Sequence, residues 1–461
     1  MYQTSGLVLT MSNKLWLLVL TWLLTACQAL PERKPETTAT VLPKTWLALS
    51  KQAASEPVTQ WLSSFHAPEL TPLVNDALVH NNDLHAAAAR VTQAKALVRK
   101  EEAARKPQLF VNPTLNADHE RNGAGVSVPF TLSWEWDVWG RISHLRDAAQ
   151  LNAEALASDW QGARLSLAAA TVTACFELAE ARQRGHVAQV SITERRRLVE
   201  LLRGRFDLGI ADGLDLSLAL TDLSDAEAEL ESAHNDQHLA LRRLQVLLGA
   251  YPSGQKTQCQ HLPDVPAMLP VGLPAQLLHR RPDILAAFAR LQAADQHLAA
   301  ANKARLPQIQ LTASSGSAAE ALANLSDPRV VAWNLALGLS QPLYAGGQLQ
   351  ADIDAQTAAV TESVAIYQQA VLKACAQVEQ SLAAEQALLA QVQALTNVVA
   401  KTDTNRTLAI QAYRNGKADV LTLLDSYRNT LSSQTALLAA RLQALQNRVG
   451  LYLALGGDVA E

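Results

Sequence analysis

The chain repeats itself, and no other feature narrows its fold so far. Asp83-Leu-His-Ala-Ala-Ala-Ala-Arg90 lines up with Asp283-Ile-Leu-Ala-Ala-Phe-Ala-Arg290, an offset of 200 residues. The same offset carries Arg105-Lys-Pro107-Gln108 onto Arg305-Leu-Pro307-Gln308. Farther along the offset becomes 207, matching Gly209 to Gly416, Asp212 to Asp419 and Leu248-Gly249 to Leu455-Gly456. The sequence is therefore one unit of about 170–180 residues written twice, with a seven-residue indel in the middle. A period this long means duplicated domains or a pseudo-symmetric assembly and excludes a short-unit solenoid. The expected division is 61–250 for the first repeat, 251–281 for a linker, 282–457 for the second repeat and 458–461 for a tail.

Each unit has the same internal grammar. It opens on an Ala-rich helix, expected over about 70–104 and 282–304, which Pro107 or Pro307 stops. A strand pair follows. Val126, Val128, Phe130, Leu132, Trp134, Trp136 and Val138 alternate with Ser127, Pro129, Thr131, Ser133, Glu135 and Asp137; Val331, Trp333, Leu335, Leu337 and Leu339 do the same later. Strict period two over roughly 9–13 residues fits a transmembrane barrel strand better than the half-buried strand of a soluble sheet. Pro129 lacks a ladder donor and is expected to mark a strand end or a bulge. Then come very long helices. Apolar residues recur at spacings of three and four from about 141 to 203, which is roughly 95 Å of helix. The chain turns near Gly209 and returns over about 213–248, with Leu216, Leu220, Leu223 and Leu230 keeping the period. The second unit repeats this with a helix to Arg414, a turn at Asn415-Gly416 and a return over 419–454. Such Ala-rich stripes predict helices packed closely against each other in coiled-coil fashion.

Two strands per unit make four per chain, and four cannot close a barrel. An open edge is not tolerated in lipid, and the smallest barrels have about eight strands. The chain should therefore oligomerise, and three copies would give a twelve-stranded barrel.

The N-terminus sets the compartment. Lys14, the apolar run Leu15–Leu24 and a small-residue exit at Thr25-Ala26 make a secretory signal over residues 1–26, too short to span a bilayer with any margin. Met1 or Met11 is the start. Leu24-Thr25-Ala26-Cys27 resembles the bacterial lipoprotein box, in which Cys27 would carry the lipid; the alternative is an ordinary signal peptide with a chance cysteine. Gln28 in place of Asp implies sorting to the outer membrane. Residues 27–60, with Pro31, Pro35 and Pro43, read as a flexible tether.

Composition removes several function classes. With 39 Lys+Arg against 43 Asp+Glu the chain lacks the basic surface of a nucleic-acid binder. A mean hydropathy of zero argues against a multi-pass helical membrane protein. His234 and His238 have an i, i+4 spacing, but Asn235 stands where a zinc-protease helix has Glu, and a solvated helix face explains them better. No Ser-His-Asp order and no nucleotide motif stand out, so no cofactor and no catalysis are expected. Only three Met are present, which disfavours a thioether path for Cu(I). With Cys27 acylated, Cys175, Cys259 and Cys375 remain, and at least one of them should be free.

These residues resemble the outer-membrane factor family of tripartite efflux pumps (outer membrane efflux proteins, TolC-like), in its lipoprotein branch. The resemblance covers nearly the whole mature chain. It is carried by Gly272-Leu-Pro-Ala-Gln-Leu-Leu-His-Arg280-Arg281-Pro282-Asp283-Ile284, by Ser133-Trp-Glu-Trp-Asp137-Val-Trp-Gly140-Arg141, by Gln341-Pro-Leu-Tyr344-Ala-Gly346-Gly347 and by Tyr413-Arg-Asn-Gly416 with Leu421-Thr-Leu-Leu-Asp425-Ser-Tyr-Arg428. Phe288 departs from the family, which often has Glu there, and Ala117–Gly125 is a short loop for it. The resemblance implies a mainly α fold with a transmembrane β-barrel. It also implies a homotrimer whose barrel continues into a periplasmic helical barrel, a periplasmic adaptor and an inner-membrane pump. By the same resemblance Leu421 is an apolar plug at the periplasmic end, with Asp425 and Arg428 as polar gate residues. The competing reading makes Asp425 and Arg428 an exposed i, i+3 helical pair worth a few tenths of a kcal/mol. Gly209, Ile210, Gly416 and Lys417, at the helical turns, are the expected adaptor-docking tips. The Arg-Arg-Pro-Asp motif and the lipoprotein box favour an exit duct for drugs or other small toxic compounds. Type I protein secretion and metal-ion efflux are the alternatives, and a periplasmic coiled-coil scaffold leaves the alternating strands unexplained.

Overall fold

A computed structural model describes residues 33–39, 42–48, 61–118, 123–254, 259–266, 273–319 and 331–457. The expected signal segment, Cys27 and the expected 458–461 tail lie outside them. The described residues fall into two compact units, one built from 97–151 and 291–363 with the N-terminal residues to 38, the other from 39–96, 152–290 and 364–461.

The first unit holds an antiparallel sheet. Its strands are β1 (Gln108–Val111), β2 (Thr114–Asp118), β3 (Gly123–Trp136), β4 (Gln308–Ala319) and β5 (Val331–Ser340), ordered β1-β3-β4-β5 with β2 also on β3. Register confirms the period-two reading. Leu109, Leu132, Ala313 and Leu335 lie side by side across the sheet, and Trp134, Leu311 and Leu337 form the next such row. The intervening row is Gln108, Ser133, Thr312 and Ala336. Alternation thus sorts one face mainly apolar and the other small or polar, with Phe110 on the polar face and Ser315 and Ser317 on the apolar one. The apolar face is bare: Trp333, Leu335, Leu337 and Leu339 are 79%, 63%, 71% and 70% exposed. A sheet in water would cover that face, whereas lipid needs no cover for it. Among the described residues, β1, β2 and β5 each pair on one side only, so both edges of the sheet are open.

Pro129 neither ends β3 nor makes a bulge. The register runs unbroken from Gln108↔Ser133 to Asp118↔Gly123, and Pro129 faces Gly316 on the other side. Asn112 donates its N–H to the Pro129 carbonyl at 3.2 Å, but proline has no N–H to return. The proline therefore interrupts its neighbour, dividing the first strand into β1 and β2. On the other side, a Cβ at Gly316 would lie 2.7 Å from the Pro129 Cα, so a bare backbone is needed there.

The helices repeat with the offsets read from sequence. They are α1 (Leu70–His80), α2 (Asn82–Ala103), α3 (Arg141–Asp207), α4 (Gly213–Leu247), α5 (Pro282–Lys303), α6 (Gln348–Arg414) and α7 (Val420–Ala454). Both α3 and α6 have 67 residues, and both α4 and α7 have 35. Among the described residues no helix is long and apolar enough to cross a membrane. The helix expected over 70–104 is two helices, because Asn81 is extended (ψ 121°). Its Oδ1 accepts the Leu84 N–H at 3.1 Å, which caps α2, while its Nδ2 donates to the Leu247 carbonyl.

The core of the helical unit is partly aromatic. Trp61, Phe65, Phe176 and Tyr452 meet with ring centroids 5.3–6.2 Å apart. The Leu216, Leu220, Leu223, Leu230 stripe expected to face inward is only partly right. The buried positions of α4 include Ala219, Asp222, Ala226, Leu230 and Ala233, and Leu220 is exposed. Small residues let the helix backbones approach closely, so the contact stripe is mostly Ala. The described part of the expected tether is held in place: Trp46 is buried, and the Leu47 and Ala48 N–H groups donate to the Glu379 carboxylate at 2.7 and 2.9 Å. In the sheet-bearing unit, Arg33 pairs with Asp295.

Candidate gate and turn sites

The period of α7 divides its first turns between two roles. Val420, Leu423, Leu424 and Tyr427 are buried in a cluster with Leu198, Val199, Leu202 and Ala219 from α3 and α4. Leu421, Asp425 and Arg428, at i, i+4 and i+7, share the outward face, and Leu421 is 58% exposed.

The three outward residues do not act as one set. Asp425 accepts from Asn429 Nδ2 at 2.8 Å, four residues along its own helix. Arg428 turns across to α4, where its Nε donates to Asp222 Oδ1 at 2.6 Å. The other oxygen of Asp222 accepts from Arg195 Nε, also at 2.6 Å. Asp222 and Arg195 are 1% and 3% exposed. One buried carboxylate thus bridges two guanidiniums and ties α7 to both α3 and α4. The Arg195 guanidinium also lies over the Tyr427 ring, 5.9 Å from its centroid. Burial pushes the Tyr427 hydroxyl up, and the charge of Glu194 adds to this, so it stays neutral. Nearby Arg406 pairs with Glu194 and Asp403. Asp425 and Arg428 are both exposed on α7, as the simpler reading has them, but their hydrogen bonds go to Asn429 and Asp222. Asp222 and Arg195 were missed from sequence because Asp222 lies off the Leu stripe. Its place on the Ala219–Ala226–Leu230 stripe was the available signal.

The two turns close alike. Gly209 (φ 67°) and Gly416 (φ 69°) are left-handed. The Ile210 and Lys417 N–H groups reach back to the Arg205 and Ala412 carbonyls at 2.8 Å, the hydrogen bond of a Schellman cap. Gly209, Ile210, Gly416 and Lys417 are all exposed. Their surroundings differ: Leu208, Ile210 and Leu214 make the first turn apolar, whereas Asn415 and Lys417 make the second polar.

The Arg280-Arg281-Pro282-Asp283 motif has a structural role that the first repeat duplicates. Arg281 is buried, donates Nη1 to the Ala454 carbonyl at 2.8 Å, and is gripped by Asp283 and Gln377. Its counterpart at the 200 offset is Asn81, which donates to Leu247, the counterpart of Ala454 at the 207 offset. In each repeat the side chain thus caps the returning helix. Gly249 and Gly456 follow those helices, and a Cβ there would meet the His80 and Arg280 carbonyls at 2.2 and 3.1 Å. Pro282 begins α5, where its missing N–H has no helical partner to lose. Arg280 is exposed.

A family profile described as outer membrane efflux protein matches residues 73–250 and 273–457. The chain is 30% identical to the pyoverdine export outer membrane protein OpmQ of Pseudomonas aeruginosa, over 94% of each chain. It is 27% identical to the cation efflux system protein CusC of Escherichia coli, over 86% of this chain and 88% of that one. Among solved structures, the outer-membrane channel OprN matches with a TM-score of 0.84 at 25% identity, over 94% of this chain and 99% of that chain. A CusC structure matches with a TM-score of 0.82 at 25% identity, over 94% and 100%.

Proposed function

The chain belongs to the outer membrane efflux protein family, and from that premise we propose that it is the outer-membrane duct of a tripartite pump, passing drugs or other small toxic compounds. It is a channel component and supplies no energy of its own. The observation that carries the reading is the sheet: one bare apolar face, one polar face and two open edges. Such a sheet is completed by further copies of itself, and three would close twelve strands around a polar lumen.

The finer assignments rest on the same reading. The homotrimer is anchored by lipid at Cys27 and works with a periplasmic adaptor and an inner-membrane pump. Leu421 narrows the duct at its periplasmic end, and the Arg428–Asp222 bond holds α7 in the narrowed position. The exposed turns at Gly209, Ile210, Gly416 and Lys417 take the adaptor. Two of the relatives are named for pyoverdine export and for cation efflux, and such a spread supports leaving substrate choice to the partner pump. The scarcity of Met supports organic cargo over Cu(I).

Deleting the gene and scanning growth on toxic organic compounds and metal salts, together with the secreted proteins, tests this. Sensitivity to organic compounds with an unchanged set of secreted proteins is expected. Loss of one secreted protein, with resistance intact, would replace it with the secretion reading.

A further inference from the structure

Residues 250–254 and 259–266, described parts of the linker between the repeats, contain no helix or strand, so no backbone ladder holds them. Side-chain contacts do so instead, among them the packing of Leu262 and Val265 on the core. Gln245 Oε1 accepts the Gly254 N–H at 3.0 Å, Arg182 Nη1 donates to the Cys259 carbonyl, and Cys259 is bonded through sulfur to Cys175 of α3. The two Cα atoms are 5.4 Å apart, a separation a disulfide spans without backbone movement. Both cysteines lie in the main core cluster with Leu165, Phe176 and Tyr452, at 3% and 0% exposure. Among the described residues the second repeat has no such bond. The counterpart of Cys175 at the 207 offset is the fully buried Leu382.

Burial fixes when this bond can form. A dithiol oxidant must reach the sulfurs directly, and neither is reachable once the core has closed. We propose that Cys175 and Cys259 are joined during folding by thiol–disulfide exchange with a protein dithiol oxidant of the exported compartment, and that the bond staples the linker to α3 before the core closes. The proposal takes its compartment from the outer-membrane reading. One cysteine thiolate attacks the oxidant's disulfide, forming a mixed disulfide and releasing one oxidant thiolate. The second cysteine thiolate then displaces the oxidant's remaining sulfur. The chain gives up two electrons and two protons, and the oxidant leaves as a dithiol. Cys375, the third cysteine, is a poor competitor. Its thiol is half-buried in α6, and burial pushes its pKa up, which lowers its thiolate fraction.

The test uses full-length protein purified from the outer-membrane fraction, so that location is established separately. Mass spectrometry of an unreduced digest is expected to yield a cross-linked peptide pair containing Cys175 and Cys259. The bond should survive excess dithiothreitol in the folded channel and be reduced only when denaturant is added. Recovery of both cysteines as free thiols, or full reduction of the folded channel with its helix content unchanged, would overturn the proposal. In the double variant Cys175→Ser, Cys259→Ser, protease cleavage within 250–266 should accelerate on the order of tenfold. An unchanged cleavage rate would remove the staple. If that variant does not accumulate, the measurements on the native protein still decide.

Discussion

Arg428 of α7 donates to the buried carboxylate of Asp222 at 2.6 Å, although 206 positions separate them in sequence. The bond joins the second repeat's returning helix to the first repeat's, on the face that also carries Leu421 and Asp425. Arg428 is itself half exposed, while Asp222 is not.

That asymmetry predicts different outcomes for the two partners. Arg428→Ala frees α7 and leaves Asp222 with Arg195, so single-channel conductance should rise with little loss of thermal stability. Asp222→Ala removes the shared anion and strands the buried Arg195 charge, a change of the kind that costs about 3–5 kcal/mol. It should raise conductance and also lower Tm by several degrees. Equal conductance in wild type and Arg428→Ala would show that this bond does not hold a gate.

The sheet predicts a difference between adjacent residues. Leu337 lies on the apolar face and Ala336 on the polar one. Arg at a lipid-facing position costs about 2–4 kcal/mol at the bilayer midplane. Leu337→Arg should therefore reduce the amount of protein in the outer membrane several-fold. Ala336→Arg should insert normally and shift ion selectivity towards anions. Similar insertion of the two variants would mean that the faces are wrongly assigned.

The glycines that close the helical hairpins should rank by contact. Gly209 and Gly249 are both left-handed, so alanine costs each roughly 1–2 kcal/mol. A Cβ at Gly209 meets nothing, but at Gly249 it lies 2.2 Å from the His80 carbonyl. Gly249→Ala should lower Tm clearly more than Gly209→Ala, as followed by circular dichroism. The reverse order would contradict the packing at the α4 terminus.

The duplicated cap gives a fourth expectation. Asn81→Ala removes a hydrogen bond to Leu247 and the cap of α2, a change worth roughly 1–2 kcal/mol. Arg281→Ala removes the bond to Ala454 and leaves Gln377 and Asp283 without their partner. Thermal unfolding should show the larger loss for Arg281→Ala, and Arg281→Lys should restore only part of it, because an ammonium cannot present the same fork.

Sequence periodicity revealed the long helices and alternating strands because both are dictated by which face is buried, and the duplication checked each against its copy. It failed where the buried face was not conspicuously apolar. The contact stripe of α4 is Ala and Asp rather than Leu, so Asp222 and Arg195 went unseen, and Arg428 was named without its partner. Asn81 was absorbed into a helix because its capping bond to Leu247 spans 166 positions. Pro129 was read as a fault of its own strand, when its missing donor acts on Asn112 of the neighbour. Of the cysteines, only the count was legible, since which two meet depends on where the linker crosses α3.

The central claim is that one chain carries only part of a barrel. Native mass spectrometry of the protein extracted from outer membranes in mild detergent tests it most directly. The account predicts a particle of three chains that dissociates only together with loss of the strand signal. A folded particle of a single chain, with its strand content intact, would contradict it.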